Sequence, residues 1–290
     1  MMKILSRKDY LMKLPDRPQD SHKGTFGHVL VIGGSPQISG AAYLNAYAAY
    51  MVGAGLVKIY TAKENREILA GLLPEALLST YDAFQEEELT QELDWADIIC
   101  IGSGLGTEAL AEQIFQFVVT HSEKPLIIDA DGLNILSHHQ ELYRCLSKIP
   151  CVLTPHLKEM SRLIGYPVSE IKEKRVPLLS DFLKSYGIIT VLKDSTTFIF
   201  CKDERIVQNI SGNSCMAKGG SGDVLTGIIG GLMAQGASPE DAAILGVYIH
   251  GLAGDLAKEM YGSYSVLARD LIEQSRYVLK QMEDENRISC

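Results

Sequence analysis

The sequence of 290 residues contains six cysteines (Cys100, Cys145, Cys151, Cys201, Cys215 and Cys290), and none forms a C-x-x-C pair. A disulfide framework is not expected at this length, and a zinc site lacks its ligand spacing. Several of these cysteines lie in apolar runs, which fits small reduced core residues of a cytoplasmic protein. No stretch reaches the roughly 18 uninterrupted apolar residues of a membrane span. The opening MMKILSRKDYLMKLPDRP has no long apolar segment, so no signal peptide is expected. Basic charge is not in excess either: 27 Lys and Arg stand against 36 Asp and Glu, a net charge of −9. That argues against nucleic-acid binding through a basic surface and leaves room only for local basic pockets. No low-complexity linker divides the chain and no repeat of roughly 20–50 residues is evident. A single domain over residues 1–290 is expected.

The sequence is otherwise that of a chain able to bury a large core, with 46% hydrophobic and 22% charged residues. Apolar, β-branched runs recur: HVLVIGG (28–34), LVKIYT (56–61), DIICIGSG (97–104), PLIIDADG (125–132), CVLTPH (151–156) and ITVLKD (189–194). Such near-continuous apolar strands belong to parallel sheets covered on both faces. Helical patterns at 40–53, 107–121, 133–147 and 157–164 alternate with them, which predicts an α/β fold. Residues 196–210 read as a hairpin with a charged turn at Lys202–Arg205, placing antiparallel strands at one edge. Long helices follow at 222–235, 239–261 and 265–285, the second starting at Pro239. The charged stretch QEEELTQEL (85–93) reads as a solvated connection or helix.

Glycine is abundant: there are 26, many in tight clusters, which implies backbone approaching another backbone or a ligand. The sharpest cluster is Gly219-Gly220-Ser221-Gly222-Asp223, followed at once by an apolar helix. Successive N–H groups at a helix N-terminus form a concave anion site. Asp223 at its mouth has two readings, a helix cap or a general base for a hydroxyl attacking a phosphoryl group. The familiar nucleotide signatures are missing. Gly34 and Gly40 are spaced one residue too far apart for a P-loop, and no Gly-Lys-Ser/Thr follows. Gly102 and Gly104 are followed by Gly106, one place too early for a dinucleotide fingerprint. His138 and His139 suggest no metal site, because adjacent residues face apart and no third ligand is signalled. GIIGG (227–231) suits close helix packing.

Five segments, in this order, resemble the ADP/ATP-dependent (S)-NAD(P)H-hydrate dehydratases: GTFGHVLVIGGS (24–35), GSGLG (102–106), DADGLN (129–134), TPHLKEMSRL (154–163) and MAKGGSGDVLTG (216–227). The resemblance implies a ribokinase-like three-layer sandwich with a mostly parallel central sheet and an antiparallel edge. It implies ADP- or ATP-dependent dehydration of the S epimer of hydrated NADH or NADPH. The C6 hydroxyl is phosphorylated and phosphate then leaves. Only about 20 residues precede the pattern, so the epimerase domain fused to many family members is not assigned and a separate epimerase is the expected partner.

By motif matching, Asp223 is the catalytic aspartate and Gly220, Ser221 and Gly222 supply the anion hole. Ala41, Gly104, His156 and Asp223 contact the hydrated dinucleotide. Lys193, Asp194, Ser195, Thr196, Thr197 and Gly222 bind the adenine nucleotide, with Asp194 standing where family members often have glycine. His156 replaces the asparagine usual in the superfamily's sugar kinases, and Glu159 organises Mg²⁺ through water. The bland alternatives are a strand-end histidine and a first-turn carboxylate. Asp131, Asn134 and Lys218 are candidates without an assigned role. A homo-oligomer, tetrameric by analogy, is expected. Two rivals share these features: a ribokinase-like kinase of a thiazole or pyrimidine alcohol, and a non-catalytic nucleotide-binding protein.

Overall fold

The computed structural model describes residues 2–3, 10 and 14–289. Most of the N-terminal segment read for a signal, and Cys290, lie outside them. The strands are β1 (Met2–Lys3), β2 (His28–Ile32), β3 (Leu56–Ala62), β4 (Leu77–Tyr81), β5 (Ile98–Ile101), β6 (Leu126–Ile128), β7 (Cys151–Leu153), β8 (Ile189–Leu192), β9 (Thr197–Phe200) and β10 (Ile206–Asn209). The helices are α1 (Gly40–Met51), α2 (Arg66–Leu72), α3 (Glu86–Trp95), α4 (Ala109–His121), α5 (Ala130–His138), α6 (Tyr143–Leu146), α7 (Leu157–Ile164), α8 (Val168–Tyr186), α9 (Ser221–Ala234), α10 (Pro239–Ser265) and α11 (Ala268–Ser289).

The strands form one sheet in the order β1-β10-β9-β8-β7-β6-β5-β2-β3-β4. All pairings are parallel except those of β9 with β8 and β10. Both faces are buried because both are apolar. Val29, Val31, Ile98 and Cys100 pack under α1, α9, α10 and α11. Leu30, Ile32, Ile99 and Ile101 pack under α3 to α8. This gives the three layers expected from the sequence.

Register places the site. Ile32 pairs with Ile101, Ile101 with Ile128, Ile128 with Leu153 and Leu153 with Thr190. The next residues on the first four of these strands, Gly33, Gly102, Asp129 and Thr154, therefore lie along one edge, where parallel sheets bind ligands. A further bridge between His156 and Lys193 extends that edge beyond β7 and β8.

Helix α9 is apolar all round and sandwiched between the sheet and α1, and its glycines permit it. A Cβ on Gly227 would lie 2.0 Å from the Asn45 carbonyl oxygen, and one on Gly230 2.5 Å from Cys100 Sγ. At α10, Ser238 accepts from the Asp241 N–H and Pro239 occupies the first turn, as expected.

Some elements differ from expectation. The helix read over 133–147 starts at Ala130 and breaks after His138, resuming as the short α6. The charged stretch at 85–93 resolves as helix, forming most of α3. Strand β4 and helix α8 have no counterpart in the sequence reading. LLSTY forms a half-exposed edge strand without an apolar run. Helix α8 carries Pro177 and a non-helical Lys174, a kink that interrupts its periodicity.

Candidate active site

At the end of β6, Asp129 is 1% exposed. Its Oδ1 accepts from Lys193 Nζ at 2.7 Å and Thr154 Oγ1 at 2.7 Å, and its Oδ2 from Thr226 Oγ1 at 3.1 Å. Burial alone would raise this carboxyl, but the Lys193 ammonium and the two hydroxyls outweigh it and hold it below the usual range. Burial likewise opposes the Lys193 charge, and Asp129 with Glu159 more than restores it. The pair is therefore ionised, and Lys193 is a fixed cation in a sheltered place.

That cation sits against the start of α9. A Cβ on Gly222 would be 3.1 Å from Lys193 Nζ and 3.4 Å from Asp129 Oδ2, so a side chain there would press on the lysine. Gly220 caps the helix with φ +92, a left-handed value that glycine adopts without strain. The first N–H groups of α9 have no acceptor within the helix, and that of Ser221 makes a long contact to the Lys218 carbonyl at 3.4 Å. Gly220→Ala is expected to cost about 1–3 kcal/mol and to displace this turn, because its Cβ would also fall 2.5 Å from Leu44 Cδ1. Denaturant unfolding of the variant checks it.

Asp223, in the same turn, is pushed up to about 7 by burial first and by the neighbouring Asp129 and Asp131, against the opposing pull of Ser103 and Lys193. A carboxyl titrating near neutrality is poised to take a proton at working pH. Behind the turn, His250 Nε2 lies 3.3 Å from Ser221 Oγ. Burial pushes His250 down to about 4, so its ring is neutral and adds no charge beneath the nest.

His156 and Glu159 form a capping box on α7. His156 Nδ1 accepts from the Glu159 N–H at 3.0 Å, and Glu159 Oε2 accepts from the His156 N–H at 2.7 Å. The other ring nitrogen, Nε2, lies 3.3 Å from Glu159 Oε1. The His156 ring is held below its usual range by burial and by Lys193, and burial pushes Glu159 up to about 7.

A cavity of about 860 Å³ opens over these groups. Expected residues His156, Lys193, Asp194, Ser195 and Thr197 line one side. Ser221, Gly222 and Asp223 line the other, with Lys218 at its margin. Lys218 Nζ donates to the Tyr264 carbonyl at 2.5 Å. Gly220, Thr196 and Glu159 stand behind the lining. Ala41 and Gly104 form a separate shoulder beside Ser103, where a Cβ on Gly104 would be 2.9 Å from Ala41 Cβ. Asp131 braces the glycine loop, its Oδ2 accepting from the Gly106 N–H at 2.9 Å, whereas Asn134 Oδ1 accepts from Arg162 of α7 at 2.6 Å. They line a second recess of about 550 Å³.

The sequence reading missed Asp129, Thr154, Thr226, Ser103 and His250. Asp129 and Ser103 lie inside motifs quoted for other residues, and the alternative signal for Asp129 is a carboxylate directly ending an apolar strand. Asp194 lies 3.9 Å from Arg175, which the α8 kink delivers. No group of three or more His, Cys, Asp or Glu side chains able to hold a metal occurs among the described residues.

The sheet and the glycine-capped anion nest define a ribokinase-like α/β protein. More particularly, the chain belongs to the NAD(P)H-hydrate dehydratase family, whose model matches residues 29–276. It is 38% identical over 270 residues to the ADP-dependent (S)-NAD(P)H-hydrate dehydratase of Neisseria meningitidis, covering 90% of this chain and 88% of that one. It is 37% identical to the bifunctional NAD(P)H-hydrate repair enzyme of Moorella thermoacetica, covering 94% of this chain but 53% of that protein. The chain thus spans about half the length of such bifunctional relatives. Among solved structures it is similar to the ADP/ATP-dependent NAD(P)H-hydrate dehydratase of Bacillus subtilis co-crystallised with ATP/Mg²⁺. The TM-score is 0.83 and the identity 30%, covering 96% of this chain and 98% of that one.

Proposed function

We propose that this chain restores NADH or NADPH from the S epimer of its hydrate at the expense of ADP or ATP. The observation that carries the reading is the convergence of Asp223, the anion nest of α9 and the Lys193 ammonium on one cavity. A base, a phosphoryl cradle and a fixed cation are the parts that moving a phosphoryl group onto a hydroxyl requires.

In this reading Asp223 accepts the proton of the C6 hydroxyl while its oxygen attacks the terminal phosphorus of the nucleotide. The N–H groups of Gly220, Ser221 and Gly222, together with Lys193, hold the transferring group. With ADP the first products are AMP and the C6 phosphate ester. The C6–O bond then breaks with the electron pair leaving on phosphate, the ring-nitrogen lone pair fills the deficit, and loss of the C5 proton restores the ring double bond. Phosphorylation matters because hydroxide is a poor leaving group and phosphate a good one. His156, Ala41 and Gly104 contact the dinucleotide, and Asp194, Ser195, Thr196 and Thr197 continue the nucleotide site from Lys193.

Both oxygens of Glu159 are engaged with His156, so among the residues expected to serve Mg²⁺ only a water-mediated contact is compatible with its geometry. Mg²⁺ keeps several waters and binds readily through phosphate oxygens, whose charge it neutralises. Cytoplasmic residence accords with the free state of the five described cysteines. A homo-oligomer, tetrameric in the expected form and acting alongside a separate epimerase, accords with exposed apolar side chains at Met260, Tyr261, Tyr264 and Leu267.

The test is spectroscopic. Purified protein given hydrated NADH regains reduced-nicotinamide absorbance only when ADP or ATP is present. Failure to do so, with phosphorylation of a thiazole or pyrimidine alcohol instead, overturns the proposal.

A further inference from the structure

Part of the cavity wall is a loop with little structure of its own. Ser211, Gly212, Asn213 and Met216 line the cavity. They belong to the segment between β10 and α9, whose own secondary structure is one 3-10 turn at Ser214–Met216. Such a segment keeps one conformation only when side chains of a rigid element pin it. Here that element is α10.

Asp255, on α10, grips the loop with both carboxylate oxygens. Its Oδ2 accepts from the Gly212 N–H at 3.0 Å and its Oδ1 from Asn213 Nδ2 at 2.8 Å. Asn213 passes the hold on. Its Nδ2 also donates to the Gly254 carbonyl at 3.0 Å, and its Oδ1 accepts from the Cys215 N–H at 3.1 Å, capping the 3-10 turn. Glycine lets the two backbones meet, because a Cβ on Gly251 would be 2.8 Å from the Ser211 carbonyl oxygen. A carboxylate shared by two donors is the strongest of these contacts. Asp255 is not among the residues lining the cavity, so its effect on a ligand passes through the loop.

We propose that Asp255 is a positioning residue for nucleotide binding: through Gly212 and Asn213 it holds the loop as the wall against which the nucleoside of ADP or ATP rests. The assignment rests on the chain using an adenine nucleotide as co-substrate. With the transferring phosphoryl group on the nest beside Lys193, the nucleoside lies over another part of the same cavity. The loop, with Leu225 and Val247, offers apolar side chains and amides there. The nest is held from other sides, Gly220 close against Leu44 and Ala268, and Gly222 against Lys193. Releasing the loop therefore leaves the phosphoryl cradle in place.

The experiment pairs calorimetric binding of AMP and ADP with steady-state kinetics in wild type, Asp255→Ala, Asp255→Asn and Asn213→Ala. Losing the charged acceptor in Asp255→Ala weakens AMP and ADP alike by about 10- to 100-fold. The KM for the nucleotide rises in step, while kcat at saturating nucleotide and the KM for the hydrate stay near wild type. Asp255→Asn keeps an acceptor for the Gly212 N–H but loses the bond from Asn213, so it falls between. Asn213→Ala weakens the same two ligands and keeps the test open where Asp255→Ala does not fold. Combined with Asp255→Ala, it adds less than the sum of the two. A merely structural role lowers the melting temperature without separating the nucleotide KM from kcat. Wild-type affinity for AMP and ADP in the folded variants overturns the positioning role alone, as does a fall in kcat with an unchanged nucleotide KM. A wild type that binds neither nucleotide overturns this role and the proposed function together.

Discussion

Replacing Asp223 by Asn lowers kcat for hydrate dehydration by about 100- to 10,000-fold, the usual effect of losing a positioned general base. Steady-state rates at saturating ADP check this. The same variant gains stability at alkaline pH, which separates lost chemistry from damaged structure. Asp223 is raised from its ordinary range to about 7 because burial and Asp129 penalise its ionised form. A raised carboxyl favours folding fully below about pH 4, and that contribution is lost as pH rises through its folded value near 7. Above pH 7 the wild type therefore bears an ionised, crowded carboxylate that the amide does not. The variant should be more stable by on the order of 2 kcal/mol at pH 8 and no more stable at pH 4. Equal stability at pH 8 with full activity would show Asp223 to be only a helix cap.

Lys193→Met is expected to be as damaging, by a different route. The substitution keeps most of the length of the side chain and removes the charge. Asp129 then stays buried with two hydroxyl donors but no cation, and breaking a buried pair from one side costs about 3–5 kcal/mol. Asp129 lies below its ordinary value in the wild type, so the pair contributes above about pH 4 and is lost as pH falls through the lowered value. Lys193 lies above its ordinary value, so its contribution holds below about pH 10 and fades beyond. The stability gap between wild type and variant is therefore full near neutrality and narrows below about pH 4. Phosphoryl transfer falls by about 100- to 1,000-fold, as when one oxyanion-stabilising donor is removed. A variant that unfolds at the wild-type midpoint and turns over normally would make Lys193 a bystander.

These two residues also show what a sequence makes legible. Asp223 was visible because its signal is local: three glycines, a serine and an apolar helix stand within a few positions of it. The phosphate nest and the strands that end in glycine were visible for the same reason. The partner of Lys193 was not, because Asp129 lies 64 positions away and meets it only through the register of β6, β7 and β8. Within DADGLN, attention falls on Asp131 and Asn134, of which the first braces the glycine loop and the second meets Arg162. In GSGLG the glycines carry the pattern, while the serine between them accepts from the buried Asn45. His250, inside a long helix, carries no local signal and meets Ser221 only once α10 is folded. Strand β4, at the sheet edge, has too little apolar character to announce itself, and the Pro177 kink that brings Arg175 to Asp194 hides α8. Local backbone chemistry was thus readable, whereas charge pairs made by topology were not.

The central claim is that the hydroxyl at C6 leaves as part of phosphate. Hydrated NADH carrying oxygen-18 in that hydroxyl, turned over by the purified protein with ADP, tests it directly. The account predicts that the label appears in inorganic phosphate, with one AMP formed for each NADH restored. Label recovered in water, with phosphate unlabelled, would show that the nucleotide is consumed without phosphorylating the hydrate, and would contradict the account.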